Sequence, residues 1–143
     1  MNKIKNLFVA AIFSIALISG CSSSIGGLGS TMDLINSLGK LGVTPEQAIG
    51  GAGALMNLAQ GKLSADDFSK VAGSIPNLDE LMKQAEGLGA FTGQLTDMAG
   101  VGSSFEKLVM DKSKVSEFVP EITNFASKNG GQEVGNLLSG VLK

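Results

Sequence analysis

The chain of 143 residues contains no histidine, no arginine, no tryptophan and no tyrosine, and it has one cysteine. Without histidine it lacks the side chain that most often acts as a general base or neutral metal ligand near pH 7. Without arginine, tryptophan and tyrosine it lacks bidentate phosphate ligands and most of the aromatic surface on which bases stack. One cysteine permits no disulfide within the chain. These absences disfavour an enzyme, a metal or cofactor site, and a nucleic-acid partner.

The N-terminal residues have the organisation of an export signal. Lys3 and Lys5 precede an apolar run, residues 7–18, which only Ser14 interrupts. A membrane-spanning helix needs roughly 20 apolar residues, so this run is too short to remain as a span. It is typical of a signal peptide that is removed.

The residues Ile18-Ser19-Gly20-Cys21 resemble the lipobox of bacterial lipoproteins, in which a peptidase cleaves before a lipidated cysteine. The resemblance implies a signal peptide of residues 1–20 and lipidation of Cys21. Two alternatives are an ordinary secretory signal that leaves a free thiol and an uncleaved anchor. Lipidation is favoured because the single cysteine stands where this chemistry requires it. Two or three acyl chains, palmitate among them, would anchor the chain, since each buried methylene contributes about 0.8 kcal/mol.

The residues after the cysteine bear on location. Ser22, Ser23 and Ser24 stand where an aspartate tends to retain Gram-negative lipoproteins at the inner membrane. By this resemblance we expect the outer membrane, on its periplasmic face; a Gram-positive cell would carry the protein on the outer leaflet of its single membrane. Residues 21–30 are rich in serine and glycine and predict a flexible tether to a folded domain of residues 31–143.

The folded part carries repeated helix signals. In Thr44-Pro45-Glu46-Gln47, a capping threonine, a proline at the first helical position and a glutamine form a capping box. They predict a helix from Pro45 to about residue 60, whose mid-helix glycines predict the close approach of another helix. Further helix starts are predicted at Ser30 (with Met32, Ile35 and Leu38 on the apolar face), Ser64, Pro76 or Asn77, Ser103 or Ser104 (with Phe105, Leu108 and Val109), and Gln132.

Asp66 and Asp67 are the residues that most resemble a paired-carboxylate motif. Adjacent residues in the first turn of a helix point to different faces, and acidic residues there favour the helix dipole. We interpret them as helix-start residues and predict no catalytic residue, no metal site and no cofactor.

Two halves of the domain, at about 41–86 and 104–143, align as a repeat. At an offset of 67 residues, Thr44 pairs with Asp111 and Leu55 with Ile122. Residues 87–102 predict a connector with a short helix at about 94–99. The predicted fold is all-α, a small bundle of five to seven short helices built from two related helix pairs.

Several segments of the chain resemble the bacterial VcgC/VcgE family, a domain of unknown function (DUF2780). The resemblance rests on residues 41–48, 53–55, 59–64, 67–68 and 75–79 in the first half, and on residues 118–120, 125, 130–131, 133–134 and 137–138 in the second. It covers about residues 41–143 and implies a fold unit without an assigned activity.

The leading functional hypothesis is a non-enzymatic, lipid-anchored envelope protein that binds a protein partner or supports the envelope. The alternative is a carrier for a lipid or other apolar ligand. The carrier would need a cavity lined by aromatic side chains, for which the candidates are Phe68, Phe91, Phe105 and Phe118.

Overall fold

The structure, a computed structural model, describes residues 26–143. Within this range the chain forms seven helices and no strand, which confirms the predicted all-α bundle. The helices are α1 (Gly26–Gly39), α2 (Pro45–Lys62), α3 (Ala65–Ser74), α4 (Leu78–Gly87), α5 (Met98–Lys107), α6 (Lys114–Gly130) and α7 (Gln132–Val141).

Helix α2 is the central element, with every residue from 50 to 59 buried. Its predicted capping box is confirmed: the Gln47 N–H donates to Thr44 Oγ1 at 3.2 Å, and the Thr44 N–H donates to Gln47 Oε1 at 3.0 Å. The predicted close approach is also confirmed, because α4 crosses α2 where a Cβ on Gly53 would overlap the Cβ of Ala85. Glycine therefore lets the two helix backbones come together.

The main core takes buried residues from all seven described helices, and its largest rings lie where α5 and α6 meet α2. The rings of Phe105 and Phe118 are fully buried there, with centroids 5.0 Å apart and planes at 74°, an edge-to-face contact. Gly51 faces these rings, and a Cβ on it would stand 2.6 Å from Phe118. The small residues of α2 therefore make room for the largest side chains of the core.

Two helices begin earlier than the sequence predicts. Helix α1 starts at Gly26, so the predicted start at Ser30 is wrong, and residues 26–30 of the predicted tether belong to this helix. Its buried face holds Leu34, Ile35 and Leu38, whereas Met32 is half exposed. The buried residues 31, 34, 35 and 38 have the spacing of one helical face. Position 32 lies outside that face.

Helix α5 is the second correction. It starts at Met98 after Asp97, whose side chain accepts the Gly100 N–H at 2.7 Å, so the predicted starts at Ser103 and Ser104 and the short helix at 94–99 are wrong. The two serine hydroxyls instead donate to carbonyls four residues back, as serine does inside a helix. Val109 lies outside the helix, which ends at Lys107.

The packing does not pair the helices as two equivalent halves. Helix α7 lies along α6, but α3 packs mainly on α6 and α7, and α2 mainly on α4 and α5. The boundary expected at residue 104 falls inside α5. The repeat therefore stays a prediction from the sequence pattern.

Among the described residues, none of the helices combines the length and apolarity that a membrane span requires.

Candidate docking groove

A groove of about 500 Å3 lies where the first two turns of α6 meet the start of α5 and the residues after α7. Five apolar side chains and four polar ones line it: Met98, Val115, Val119, Pro120 and Leu142, with Lys112, Ser113, Ser116 and Lys143. A pocket of this size and composition suits apolar side chains with a few polar contacts at the edge.

The first turn of α6 is fixed by a side chain from the preceding loop. Asp111 Oδ1 accepts the Ser113 N–H at 2.8 Å, which satisfies one of the unpaired donors at this helix end. This hydrogen bond lowers the pKa of the Asp111 carboxyl, because it favours the charged form. The N-cap residue of α6 is Ser113, whose side chain makes no capping hydrogen bond, so Asp111 does not occupy the position that Thr44 has in α2.

Lys114 joins the first turn of α6 to α1. Its Nζ donates to the Leu41 carbonyl at 2.8 Å and to Glu117 Oε2 at 2.9 Å. The start of α6, and the groove beside it, therefore lie at the carboxyl end of α1.

Pro120 contributes an apolar ring to the groove and also leaves a main-chain carbonyl of α6 without its usual helical hydrogen bond. Proline has no N–H, so it cannot supply the hydrogen bond that the Ser116 carbonyl would receive from another residue at position 120. Both residues line the groove. A bound segment with a donor could use this carbonyl.

The charged side chains that line the groove are lysines. Lys112 pairs with Glu106 at 3.1 Å, and both side chains are more than half exposed. Such a surface pair contributes about 0–1 kcal/mol. Lys112 can therefore exchange this carboxylate for another at little cost.

The turn between α5 and α6, next to the groove, holds an unusual valine. Val109 has φ 58° and is 88% exposed. A β-branched residue rarely adopts this left-handed conformation. Gln47 Nε2 secures the turn by donating to the carbonyls of Leu108 and Val109 at 3.0 and 3.3 Å. The turn thus keeps the apolar side chain of Val109 exposed to solvent.

The groove and the N-terminal end of α1 lie at opposite ends of the domain. Thr31, early in α1, donates to the Pro76 carbonyl at 2.6 Å, while a Cβ on Gly130, at the end of α6, would meet Ser74. Helices α1 and α6 therefore run antiparallel. The start of α1 lies near the end of α6, and Lys114, at the start of α6, lies beside Leu41, which follows α1. Helix α1 separates the two ends by about 1.5 Å per residue, roughly 20 Å.

The phenylalanines proposed to line a carrier cavity do not share one. Phe105 and Phe118 fill the main core against each other, and Phe68 packs at its edge. Phe91 belongs to a separate small cluster with Ala54, Ala85 and Ala90. The rings that the sequence offers for a ligand therefore serve the packing of two cores.

Residues 88–97, which we name the strap, contribute Ala90 and Phe91 to the small cluster, and Leu95 packs against it. Asn57, buried in α2, fixes the strap: Asn57 Oδ1 accepts the Leu95 N–H at 2.6 Å and Gln94 Nε2 at 3.2 Å. Gln94 Nε2 also donates to the Asn57 carbonyl. Gly61 provides space, since a Cβ there would stand 2.6 Å from the Gln94 amide. One buried amide therefore holds the strap on α2.

The remaining predicted residues lie away from the groove. Cys21 and the signal peptide of residues 1–20 fall outside the described residues. Lys70 pairs with Glu133 at 2.7 Å and, more weakly, with Asp67 at 3.5 Å, and Glu133 above all raises the pKa of the Lys70 amine. Within residues 26–143, acidic side chains form no group of three that could hold a metal ion.

The comparisons with known proteins identify a family. A family model described as protein of unknown function VcgC/VcgE (DUF2780) matches residues 23–143. The match begins before the region that carried the resemblance and includes α1 to α7. No match was found among curated proteins or among solved structures.

Proposed function

The chain belongs to the VcgC/VcgE family of unknown function (DUF2780), and from that premise we propose that it is a lipid-anchored envelope protein that binds a protein partner. In this proposal acyl chains on Cys21 hold the chain at a membrane, by preference the outer membrane on its periplasmic face. The groove beside α6 is the binding site. The domain acts by binding and catalyses no reaction.

The observation that carries this proposal is the placement of the groove relative to the start of α1. Cys21 precedes Gly26 by five residues, so an anchor there would attach at one end of α1. The groove lies at the other end. A domain held in this way presents its apolar groove at the end remote from its attachment.

Chemistry supports binding over catalysis. The Ser116 hydroxyl in the groove donates to the Ser113 carbonyl at 2.6 Å and not to a side chain that could act as its base. The chain contains no histidine for this role. A carrier role has less support, since Phe105 and Phe118 pack against each other in the core.

Photocrosslinking in intact cells tests the proposal. A photoreactive residue at Val119, in the groove, should give a discrete crosslinked protein, whereas one at Gln84, exposed on α4, should not. Cys21→Ser should abolish the product of the Val119 probe together with membrane fractionation. Equal products from both positions, or membrane association of Cys21→Ser that survives carbonate extraction, would contradict the proposal.

A further inference from the structure

We infer that a cleft between α2, α4 and the strap binds a small zwitterion of dipeptide size, with an apolar side chain between its charged ends. The inference goes beyond the proposed function and does not depend on it, because neither the groove beside α6 nor a protein partner takes part. It assigns to the domain a second binding site and the chemistry of its ligand.

The cleft has a volume of about 310 Å3, which is at the lower end of the range for small-molecule sites. Asn57 lines it from α2 and Phe91 from the strap. Helix α4 supplies four lining residues whose spacing places them on one helical face: Asp79, Met82, Lys83 and Glu86. The cleft therefore brings amide, apolar and charged groups together around a space that suits a small ligand.

Asn57 brings an unpaired hydrogen-bond donor to the cleft. The residue is only 6% exposed. Its Oδ1 accepts the Leu95 N–H at 2.6 Å, and because an amide nitrogen cannot accept this bond, the orientation of the Asn57 amide is fixed. Its Nδ2 donates to no acceptor within residues 26–143. A buried donor without a partner is costly, so an acceptor atom of a ligand gains a hydrogen bond here.

The charged side chains of the cleft are of both signs. Lys83 lies four residues after Asp79 and three before Glu86, but in the part of the chain that the structure describes its amine pairs with neither. All three residues are exposed. A purely anionic or purely cationic ligand would meet repulsion from one of these groups, whereas a zwitterion can place each of its charges beside the opposite one.

The donors and acceptors of the cleft suit the two ends of such a ligand. Asn57 Nδ2 and the Lys83 amine donate, so they suit a carboxylate. The Asp79 and Glu86 carboxylates accept, so they suit an ammonium. Hydrogen bonds between charged groups are stronger than neutral ones, which favours a ligand with both ends over one with a single charge.

Apolar surface completes the site. Met82 and Phe91 both line the cleft. Phe91 packs with Ala54 and Ala85 in the small cluster, which holds its ring in place, and methionine adapts its shape to different apolar groups. The cleft therefore favours a dipeptide with an apolar side chain over a fully polar dipeptide of the same charge.

Binding in the cleft is coupled to the strap through Asn57. The same amide holds the Leu95 N–H with its oxygen and offers its nitrogen to the ligand, and Phe91 of the strap is part of the lining. A ligand that needs this arrangement stabilises the closed strap. Hydrogen exchange of the Leu95 amide, which requires local opening, should therefore slow when the ligand binds.

Glycyl-L-leucine is the probe, titrated into the purified protein and followed by isothermal titration calorimetry. We expect saturable binding with a Kd below about 1 mM. At a dipeptide concentration of about four times Kd, exchange of the Leu95 amide should slow about fivefold. N-acetyl-glycyl-L-leucine lacks the ammonium and glycyl-L-leucinamide lacks the carboxylate, and each should bind about fivefold more weakly.

Three variants locate the site. Asn57→Asp keeps an acceptor for the Leu95 N–H but replaces the Nδ2 donor with an oxygen, so it should abolish binding and leave the strap attached. Glu86→Gln, at an exposed position, should weaken binding about fivefold. Glu80→Gln, exposed on the same helix but outside the cleft, is the matched control and should leave the affinity unchanged.

Thermal unfolding checks that each variant folds. If Asn57→Asp does not fold, the comparison of Glu86→Gln with Glu80→Gln decides the question, because both changes are at the surface. The inference is overturned if the dipeptide shows no saturable binding up to about 10 mM. Equal binding of the three dipeptide forms, equal effects of the two glutamate variants, or unchanged exchange of the Leu95 amide in the saturated protein would overturn it as well.

Discussion

Gly53 and Ala85 lie at the crossing of α2 and α4, where a Cβ placed on Gly53 would overlap the Cβ of Ala85. Helix propensity alone would favour alanine at position 53 by about 1 kcal/mol. Packing opposes it, because the facing atom belongs to a short side chain on a rigid helix that cannot turn away. The crossing explains why a buried helix keeps a residue that is poor for helices.

The first prediction follows from this contact. Gly53→Ala should lower the free energy of unfolding by about 1–3 kcal/mol, the usual cost of overpacking a core. Gly73→Ala is the matched control, since a Cβ there meets nothing within 4 Å, and it should raise stability by up to about 1 kcal/mol. Urea unfolding of both variants measures the difference. Equal effects of the two substitutions would contradict the close crossing.

The second prediction concerns the strap. Asn57→Ala should cost about 1–3 kcal/mol, because the Leu95 N–H and the Gln94 amide lose their buried acceptor. Hydrogen exchange of the Leu95 amide should accelerate. Asn124→Ala, at an exposed position on α6, should stay within about 0.5 kcal/mol of the unchanged protein. Unaltered exchange at Leu95 would show that Asn57 does not hold the strap.

The third prediction concerns the turn beside the groove. Val109→Gly should raise the free energy of unfolding by about 1 kcal/mol, because glycine adopts the left-handed conformation without a steric cost. Little burial is lost, since the valine is almost fully exposed. Val109→Ala, which keeps a Cβ, should gain less. If alanine stabilises as much as glycine in thermal unfolding, strain at this turn is refuted.

The fourth prediction is a pH dependence. The pKa of Asp111 is lowered in the folded state from its ordinary value of 3.8 by the hydrogen bond from the Ser113 N–H. The stabilising effect of the charged Asp111 carboxylate is therefore complete above the ordinary pKa of 3.8, and it is lost as the pH falls through the lower pKa of the folded state. Asp111→Asn should lower the melting temperature at pH 7 more than at pH 3. The same deficit at both pH values would exclude the charge of Asp111 as the cause.

Local signals made some of the fold predictable. Thr44 and Gln47 are three residues apart, so their capping box follows from chain-local geometry. At α5 the sequence predicts a cap at Ser103 or Ser104, but the cap is Asp97, because serines cap helices and also bond within them. Because Met32 is apolar, the sequence predicts it on the buried face of α1, but in the structure this side chain is half exposed.

The site was harder to predict because its parts are distant in sequence. Met98, Val119 and Leu142 form one groove only after α5, α6 and α7 have packed, and apolar residues on each helix are equally compatible with a closed core. The left-handed Val109 had no sequence signal, since valine is disfavoured there. Asn57 and Leu95, 38 positions apart, likewise meet only in the fold.

The mass of the intact protein purified from membranes tests the central claim most directly. The account predicts a chain that begins at Cys21 and exceeds the mass of residues 21–143 by a diacylglyceryl group, with or without a further acyl chain. A chain that begins upstream of Cys21, or one that begins there with the mass of an unmodified thiol, would contradict it.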